Sequence, residues 1–565
     1  MKKIAFIILS SVMMNSCTDM NLIPESNLSP ENFFKSEEDA TAAVYGTYSV
    51  FTDNDIYNQF WEVLQSQGTD DCEWSGGRTT TNLDKNALDK SEYDGNTNLV
   101  YSVWIKHYVA VNRSNFAIEN ISNMGSEQIR DDVRKRLIGE AKFLRALAYF
   151  NLVRIYGGVP LVLKQTTSLD GLEVPRNTVD ECYEQIISDL QEAKSVLPAI
   201  GQLPEGYLGR ATKGSASAML AKVYLTREDY QNVVKETSEV MQMGYKLWKN
   251  YADNFDVAHE NNEESILEFQ FLGDVDNAGF NPGLATSGLA FDSRGLMLPG
   301  AGVGYEGVVH NWLYNAFVNS IDKDGYTDIR MFSTMIFNDL DASIHLRNDA
   351  GGNPVRLEGP GGYKWEELYP AKNGKEGFAT VSNPLAHSFK AGIRKGIDCS
   401  MPTQTEADGT PKLVGVGAGV KEYVYNQPRA HGVNWRYIRY ADVLMMYAEA
   451  VVSGGTQASN MTPLQAVNKV RGRANMSELP SVTMADIQNE RILEFALEGH
   501  RFYDLLRWGK LASRFTELQE SDPNFKKFIS ADDFKGFVTN KHEWLPIPIN
   551  EVNSNPYITE NNPGY

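Results

Sequence analysis

An enzyme built on a nucleophile, a metal or a bound nucleotide needs a few residue types at fixed spacing, and the sequence holds none of the common sets. It has no Gly-x-Ser-x-Gly elbow to present a strained serine, no His-Glu-x-x-His helix to hold zinc and no glycine-rich loop ending in Lys and Ser or Thr to cradle phosphate. The nearest glycine motif, Gly415-Val416-Gly417-Ala418-Gly419, has the wrong spacing for a dinucleotide loop and no helix pattern after it. Asp322, Asp324 and Asp328, around Gly325, could offer oxygens to calcium. An EF-type loop would need a further acidic residue before the glycine and a distal Glu, and Asp-Gly is a common turn pair, so the better reading is a solvated turn and no metal. Glu490, Arg491, Glu494, Glu498, Arg501 and Asp504 recur every three or four residues, which predicts a ladder of ion pairs along one helix. A pair of glycosidase carboxylates needs no local motif and stays open in a chain with 73 acidic residues.

Those groups sit in a chain of 565 residues, 42% apolar and 22% charged, enough for a large core or several packed units. The formal charge of -20 repels polyanions at long range and argues against nucleic acid as a partner. Met1-Lys2-Lys3 followed by an apolar stretch from Ile4 to Met14 has the layout of an export signal, predicted over 1–16. It is shorter than the roughly 20 residues a spanning helix needs. Met14-Asn15-Ser16-Cys17 resembles a bacterial lipobox; Met14 and Asn15 depart from its usual residues, whereas Ser16 and Cys17 fit. Cys17 is therefore the expected lipidation site, and acyl chains, at about 0.8 kcal/mol per buried methylene, hold a protein at a bilayer without a spanning helix. Residues 17–30, with Pro24 and Pro30, read as a tether. Cys72, Cys182 and Cys399 form neither a disulfide framework nor a zinc pattern, and Cys182 fits a small core position.

Helical periodicity dominates two regions. Leu137, Ala141, Leu144, Ala148, Leu152 and Ile155 fall on one face of a helix that should stop at Gly157-Gly158-Val159-Pro160. Thr178 and Glu181 form a capping-box pattern before the stripe Val179, Tyr183, Ile186, Leu190, Ala193 and Leu197. Further helices are predicted over Lys213 to Leu225 and Tyr230 to Met243, then over Tyr437 to Ser453, Pro463 to Asn475 and Thr483 to Trp508. The pairs look like tetratricopeptide units without a regular 34-residue repeat. The expected fold class is mainly α, with helix pairs as a scaffold: 31–253 and 429–565 form the helical base of one domain. Residues 254–428, rich in glycine and aromatics, form a loop-rich ligand-binding region. Trp104, Tyr108, Val111 and Asn115 at helical spacing predict a core tryptophan, and Trp508 and Trp544 are read as scaffold.

Several segments together are similar to the SusD/RagB family of nutrient-binding outer-membrane lipoproteins. They are Ser29-Pro30-Glu31-Asn32-Phe33-Phe34 into Ala42-Ala43-Val44-Tyr45-Gly46, Gly139 to Ala146 through Tyr156 to Pro160, and Arg439 to Leu444 with Tyr447 to Ala450. Val470 to Ala474, Glu498 to Leu505 with Arg507-Trp508-Gly509, Leu545 to Pro548 and Asn561 to Tyr565 complete them. The resemblance implies a surface-exposed, lipid-anchored outer-membrane protein that is not an enzyme. It would bind a nutrient, a glycan foremost, need no cofactor, and pass its ligand to a SusC-like TonB-dependent transporter docked on the helical base.

Sugars present flat C–H faces rimmed by hydroxyls, so exposed rings and neighbouring polar groups make their sites. Trp74, in a polar loop with Asp70, Asp71, Glu73 and Arg78, is the first candidate, with Arg78 beside it; Tyr305, Trp312 and Trp365 in the irregular region follow. The alternatives are a surface glycoside hydrolase with the same anchor, and a repeat scaffold with no small ligand.

Overall fold

The computed structural model describes residues 33–53, 55–57, 69–73, 84, 87–88, 91–166, 173–204, 206–271, 308–337, 341–355, 391–393, 413–415, 421–423, 433–457, 461–521 and 537–565. Cys17, Trp74, Arg78, Tyr305, Trp365 and Cys399 lie outside them. Among the described residues the chain is mainly helical. The N-terminal helices are α1 (Glu37–Phe51), α2 (Asn98–Asn123), α3 (Asp131–Tyr156), α4 (Val179–Val196), α5 (Lys213–Thr226) and α6 (Tyr230–Met241). Two short ones follow, α7 (Asn311–Val318) and α8 (Met331–Thr334), and then α9 (Tyr440–Val452), α10 (Pro463–Arg473), α11 (Met484–Phe495), α12 (Arg501–Arg507), α13 (Leu511–Ser521) and α14 (Ile549–Ser554). The strands are β1 (Cys72–Glu73), β2 (Ser265–Phe269), β3 (Val308–Val309), β4 (Met335–Phe337), β5 (Ala391–Ile393), β6 (Leu413–Gly415), β7 (Lys421–Tyr423) and β8 (Trp435–Arg439).

Helix starts follow side-chain chemistry that satisfies the orphan N–H groups of the first turn. Reciprocal capping boxes join Ser36 to Asp39, Thr178 to Glu181, Thr212 to Ser215, Thr462 to Gln465 and Thr483 to Asp486. The helix α3 carries the predicted stripe fully inside, but every residue from Phe143 to Tyr156 is buried as well. It is the central rod of the base rather than an edge helix, and its polar members are accordingly paired: Arg145 grips Asp189 through two bonds of 2.7 and 2.8 Å and Asn115 through one of 2.8 Å. Trp104 is core as expected, packed edge-on against Tyr156, and Cys182 is fully enclosed. At the end of α3, where the sequence places the stop, Gly157 takes φ 72° and ψ -139°, a conformation that glycine adopts readily. Trp544 packs directly over it.

Each base helix packs on its predecessor, α2 to α6 in sequence, and α9 then stacks on α6 and carries α10. The two helical regions therefore share one core, which runs from Phe34 to Ile558. Three details differ from the periodicity. Tyr437 and Ile438 lie in β8, paired antiparallel with β2, so the helix begins only at Tyr440. The long helix predicted to Trp508 breaks between Phe495 and Arg501, where Leu497 (φ 63°) and Gly499 (φ 77°) turn the chain. The middle region holds the ordered helix α7, too short at eight residues for a period of 3.6 to register. Gly415 ends one strand of the two-stranded β6–β7 sheet rather than a phosphate loop.

The charged run makes structural ion pairs, but not along one helix: it spans α11, the turn after it and α12, and the carboxylates of its first part are buried and reach other elements. Glu494 meets Arg330, Arg439 and Arg473, Glu490 meets Arg330 and Arg471, and Glu498 takes Arg439 through bonds of 2.8 and 2.9 Å. Glu264 joins Arg439 at 2.6 Å and Arg473 at 2.7 Å. Burial alone would raise the Glu494 carboxyl; Arg473, Arg439 and Arg330 outweigh it and bring it down to about 2.

Gly157→Ala should destabilise the fold by about 1–3 kcal/mol, because a Cβ would sit 3.2 Å from the Trp544 ring on a backbone that L side chains rarely adopt. Urea denaturation of the two proteins checks the difference.

Candidate functional site

Four short antiparallel strands, in the order β1-β3-β5-β4, form a platform beside the helical base. Cys72 pairs with Val309 and Glu73 with Val308. Beneath it a small apolar cluster joins Cys72, Val309, Leu313, Phe317, Met331 and Phe337 to Leu497, with Ile492 and Leu493 of α11 packed against them. A bond of 3.0 Å from the His310 amide to the Asp71 carbonyl extends the β1–β3 pairing by one step.

Asp70 gathers the surrounding elements. Its carboxylate, fully buried, takes Arg501 of α12 through bonds of 2.6 and 2.7 Å and Arg514 of α13 through one of 2.7 Å. Burial would raise this carboxyl, and the two guanidinium groups overcome that and hold it below the usual carboxylate value. The Asp70 carbonyl accepts the indole N–H of Trp312 from α7. The same two arginines lie against the Trp312 ring, with the Arg514 carbon 4.2 Å and the Arg501 carbon 5.3 Å from its centroid. Asp71, next in the chain and 4% exposed, accepts from the Thr69 hydroxyl and the Leu497 amide. Burial and the neighbouring Asp70 charge push its carboxyl up to about 6.

Of the candidate ligand residues only Trp312 lies among the described ones. It sits on a helix rather than in irregular chain, half-buried, and its ring and N–H already serve the Asp70 cluster, bridging two apolar clusters. The chain leaves β1 at Glu73, one residue before Trp74, and enters the adjacent β3 three residues after Tyr305. The platform thus brings the stems of two candidate segments together. The sequence places Asp70 beside Trp74 and Arg501 in the charged run, but nothing local signals that a carboxylate binds an arginine 431 residues away.

The Asp322 turn uses its carboxylates on other partners. Asp328 is held by Arg330 at 2.8 Å, Asp322 receives the amides of Asp324 and Tyr326 and pairs with Arg347, and Asp324 accepts from Asn475 at 2.8 Å. Calcium would have to displace these bonds; the residues form a turn, but only Asp324 and Gly325 at its tip are solvated as Asp-Gly suggests, whereas Asp322 and Asp328 are buried against their partners. Among the described residues no group of three or more His, Cys, Asp or Glu could hold a metal ion, and no helix is long and apolar enough to cross a membrane.

Residues 409–565 match the model of the SusD family, and residues 26–225 match that described as starch-binding associating with outer membrane. The chain belongs to the SusD/RagB family. SusD-like protein P25 of Formosa agariphila is 26% identical, over 96% of this chain and 95% of its own. Starch-binding protein SusD of Bacteroides thetaiotaomicron is 23% identical over 87% of this chain and 83% of its own. Surface glycan-binding protein A from Bacteroides thetaiotaomicron, solved in complex with laminarihexaose, superimposes with a TM-score of 0.69 at 21% identity, covering 93% of this chain and 99% of that one. The family fold is the tetratricopeptide-like base described above.

The raised Asp71 carboxyl has a consequence for stability. Its contribution is complete below the unfolded value near pH 4, falls as the pH rises and is gone above about 6, where the buried group is charged. Asp71→Asn should therefore be more stable than the parent at pH 8, by about 1–3 kcal/mol, and nearly equal to it at pH 4; urea denaturation at the two pH values checks this.

Proposed function

We propose that the chain is a cell-surface glycan-binding protein of the outer membrane, anchored through an acylated Cys17. It captures an oligosaccharide and passes it unchanged to a SusC-like TonB-dependent transporter. The observation that carries the reading is the full-length likeness to SusD-like proteins, among them a starch-binding protein and a glycan-binding protein solved with laminarihexaose. The platform geometry supports it, because β1 and β3 are paired where the chain departs toward Trp74 and arrives from Tyr305. Trp74, Arg78, Tyr305 and Trp365 are the residues proposed to meet the sugar, with rings on its faces and the guanidinium on its hydroxyls. Trp312 serves the face from below, through Asp70.

Binding without conversion is in keeping with the carboxylates near Trp312. Asp70 is neutralised by two arginines and held below the usual carboxylate value, so it is not set up to give a proton to a glycosidic oxygen; Asp504, raised by burial, is tied to Arg491 at 2.8 Å and to Arg507 at 2.9 Å. Asp71 has a raised carboxyl, the property of a general acid, but it is enclosed beneath the strands.

Calorimetry with laminari- and malto-oligosaccharides should give saturable heat for at least one series, with no new reducing ends after prolonged incubation. Trp74→Ala should weaken that binding about tenfold or more, a loss of ~1.4 kcal/mol. Release of shorter sugars, or silence across the whole panel, would contradict the reading.

A further inference from the structure

The Asp70 cluster does more than fill space, because one carboxylate ties together the parts that aim the ligand face. We propose that Asp70 is a positioning residue for ligand binding: it clamps Arg501 and Arg514 on Trp312 and so fixes the point where β1 and β3 hand the chain to the binding segments. The inference rests on the ligand-face reading above and adds residues that make no contact with sugar.

Four elements meet at this residue. Its side chain binds α12 and α13, its carbonyl binds α7, and its own chain becomes β1 two residues later. Arg501 engages both carboxylate oxygens, a geometry that fixes orientation as well as distance. Arg514 takes one of the same oxygens and lies on the Trp312 ring, so the ring, the two guanidinium groups and the carboxylate form a closed loop of contacts. The closure limits rotation of α7 against β1. His310, at the cap of α7, bonds the Asp71 carbonyl, so a shift of Asp70 carries over directly to the β1–β3 pair. An arginine needed only for charge balance could point into solvent; these two are largely buried and both converge on a single acid.

The test uses Asp70→Asn, Asp70→Glu and, as a milder lesion that keeps the buried carboxylate paired to Arg501, Arg514→Gln. Two readouts are taken on the full chain: amide hydrogen exchange over residues 69–73 and 308–318, and affinity for laminarihexaose as probe. Asp70→Asn should raise exchange in both segments at least tenfold while leaving α3 and α4 unchanged, and weaken laminarihexaose at least tenfold. Arg514→Gln should do the same to a smaller extent, and Asp70→Glu should recover part of both losses. Unchanged exchange at 69–73 and 308–318 in Arg514→Gln and Asp70→Asn would overturn the proposal. So would faster exchange with undiminished affinity, which would make Asp70 structural alone. If the parent binds no laminarihexaose, the affinity arm uses whichever laminari- or malto-oligosaccharide it does bind, and a parent that binds none overturns the ligand-face reading on which the proposal rests.

Discussion

The arrangement depends on carboxylates of α11 and the turn after it, which are placed where three separate parts of the chain must meet. Arg330 comes from the cap of α8, which leads into β4 of the platform, Arg439 from the strand that feeds α9, and Arg473 from the end of α10; all three converge on Glu494. None of these four side chains reaches solvent to any useful degree. Buried ions are costly unless geometry and hydrogen bonding compensate, and removing one partner leaves its mates charged with nowhere to go. The cluster therefore acts as a constraint on register more than as a source of stability: the apolar clusters on either side of α11 could pack in other offsets, whereas guanidinium and carboxylate forks accept few.

A second set of ions extends the same logic toward the platform edge. Arg491, one residue after Glu490, faces the opposite way and holds Asp442 at 3.0 Å and Asp504 at 2.8 Å. Arg507 pairs with Glu449 and Asp504, and the Trp508 indole donates to Glu449 at 2.8 Å. From there α12 presents Arg501 to Asp70. Three groups of charged contacts, joined through the backbones of α11 and α12, thus lie between the middle of the helical base and the root of β1. The ligand face is proposed to stand on that root.

Legibility in the sequence followed the range of the interactions. The stripe of α3, the Thr178–Glu181 box of α4 and the bounds of α5 are set by contacts within a few residues, so periodicity and capping chemistry reveal them. The break at Leu497 is set by tertiary contact: a non-glycine residue with positive φ is stabilised by the platform cluster it packs into, and no local rule favours it. The charged run on α11 has the spacing of a surface ladder, and only its partners, up to 164 residues away, show that it is internal. Trp312 was legible as a ring worth attention, but its duty is set by Asp70, Arg501 and Arg514, which no spacing connects.

The central claim is that the α11 carboxylates fasten the platform to the base, and a double-mutant cycle between Arg330 and Glu494 tests it most directly. Unfolding free energies of Arg330→Met, Glu494→Leu and the double variant would be compared with the parent. The account predicts single losses of about 3–5 kcal/mol each, and a double loss smaller than their sum by roughly 1–3 kcal/mol. Losses that add within about 0.5 kcal/mol would show the two charges to be energetically independent and contradict it.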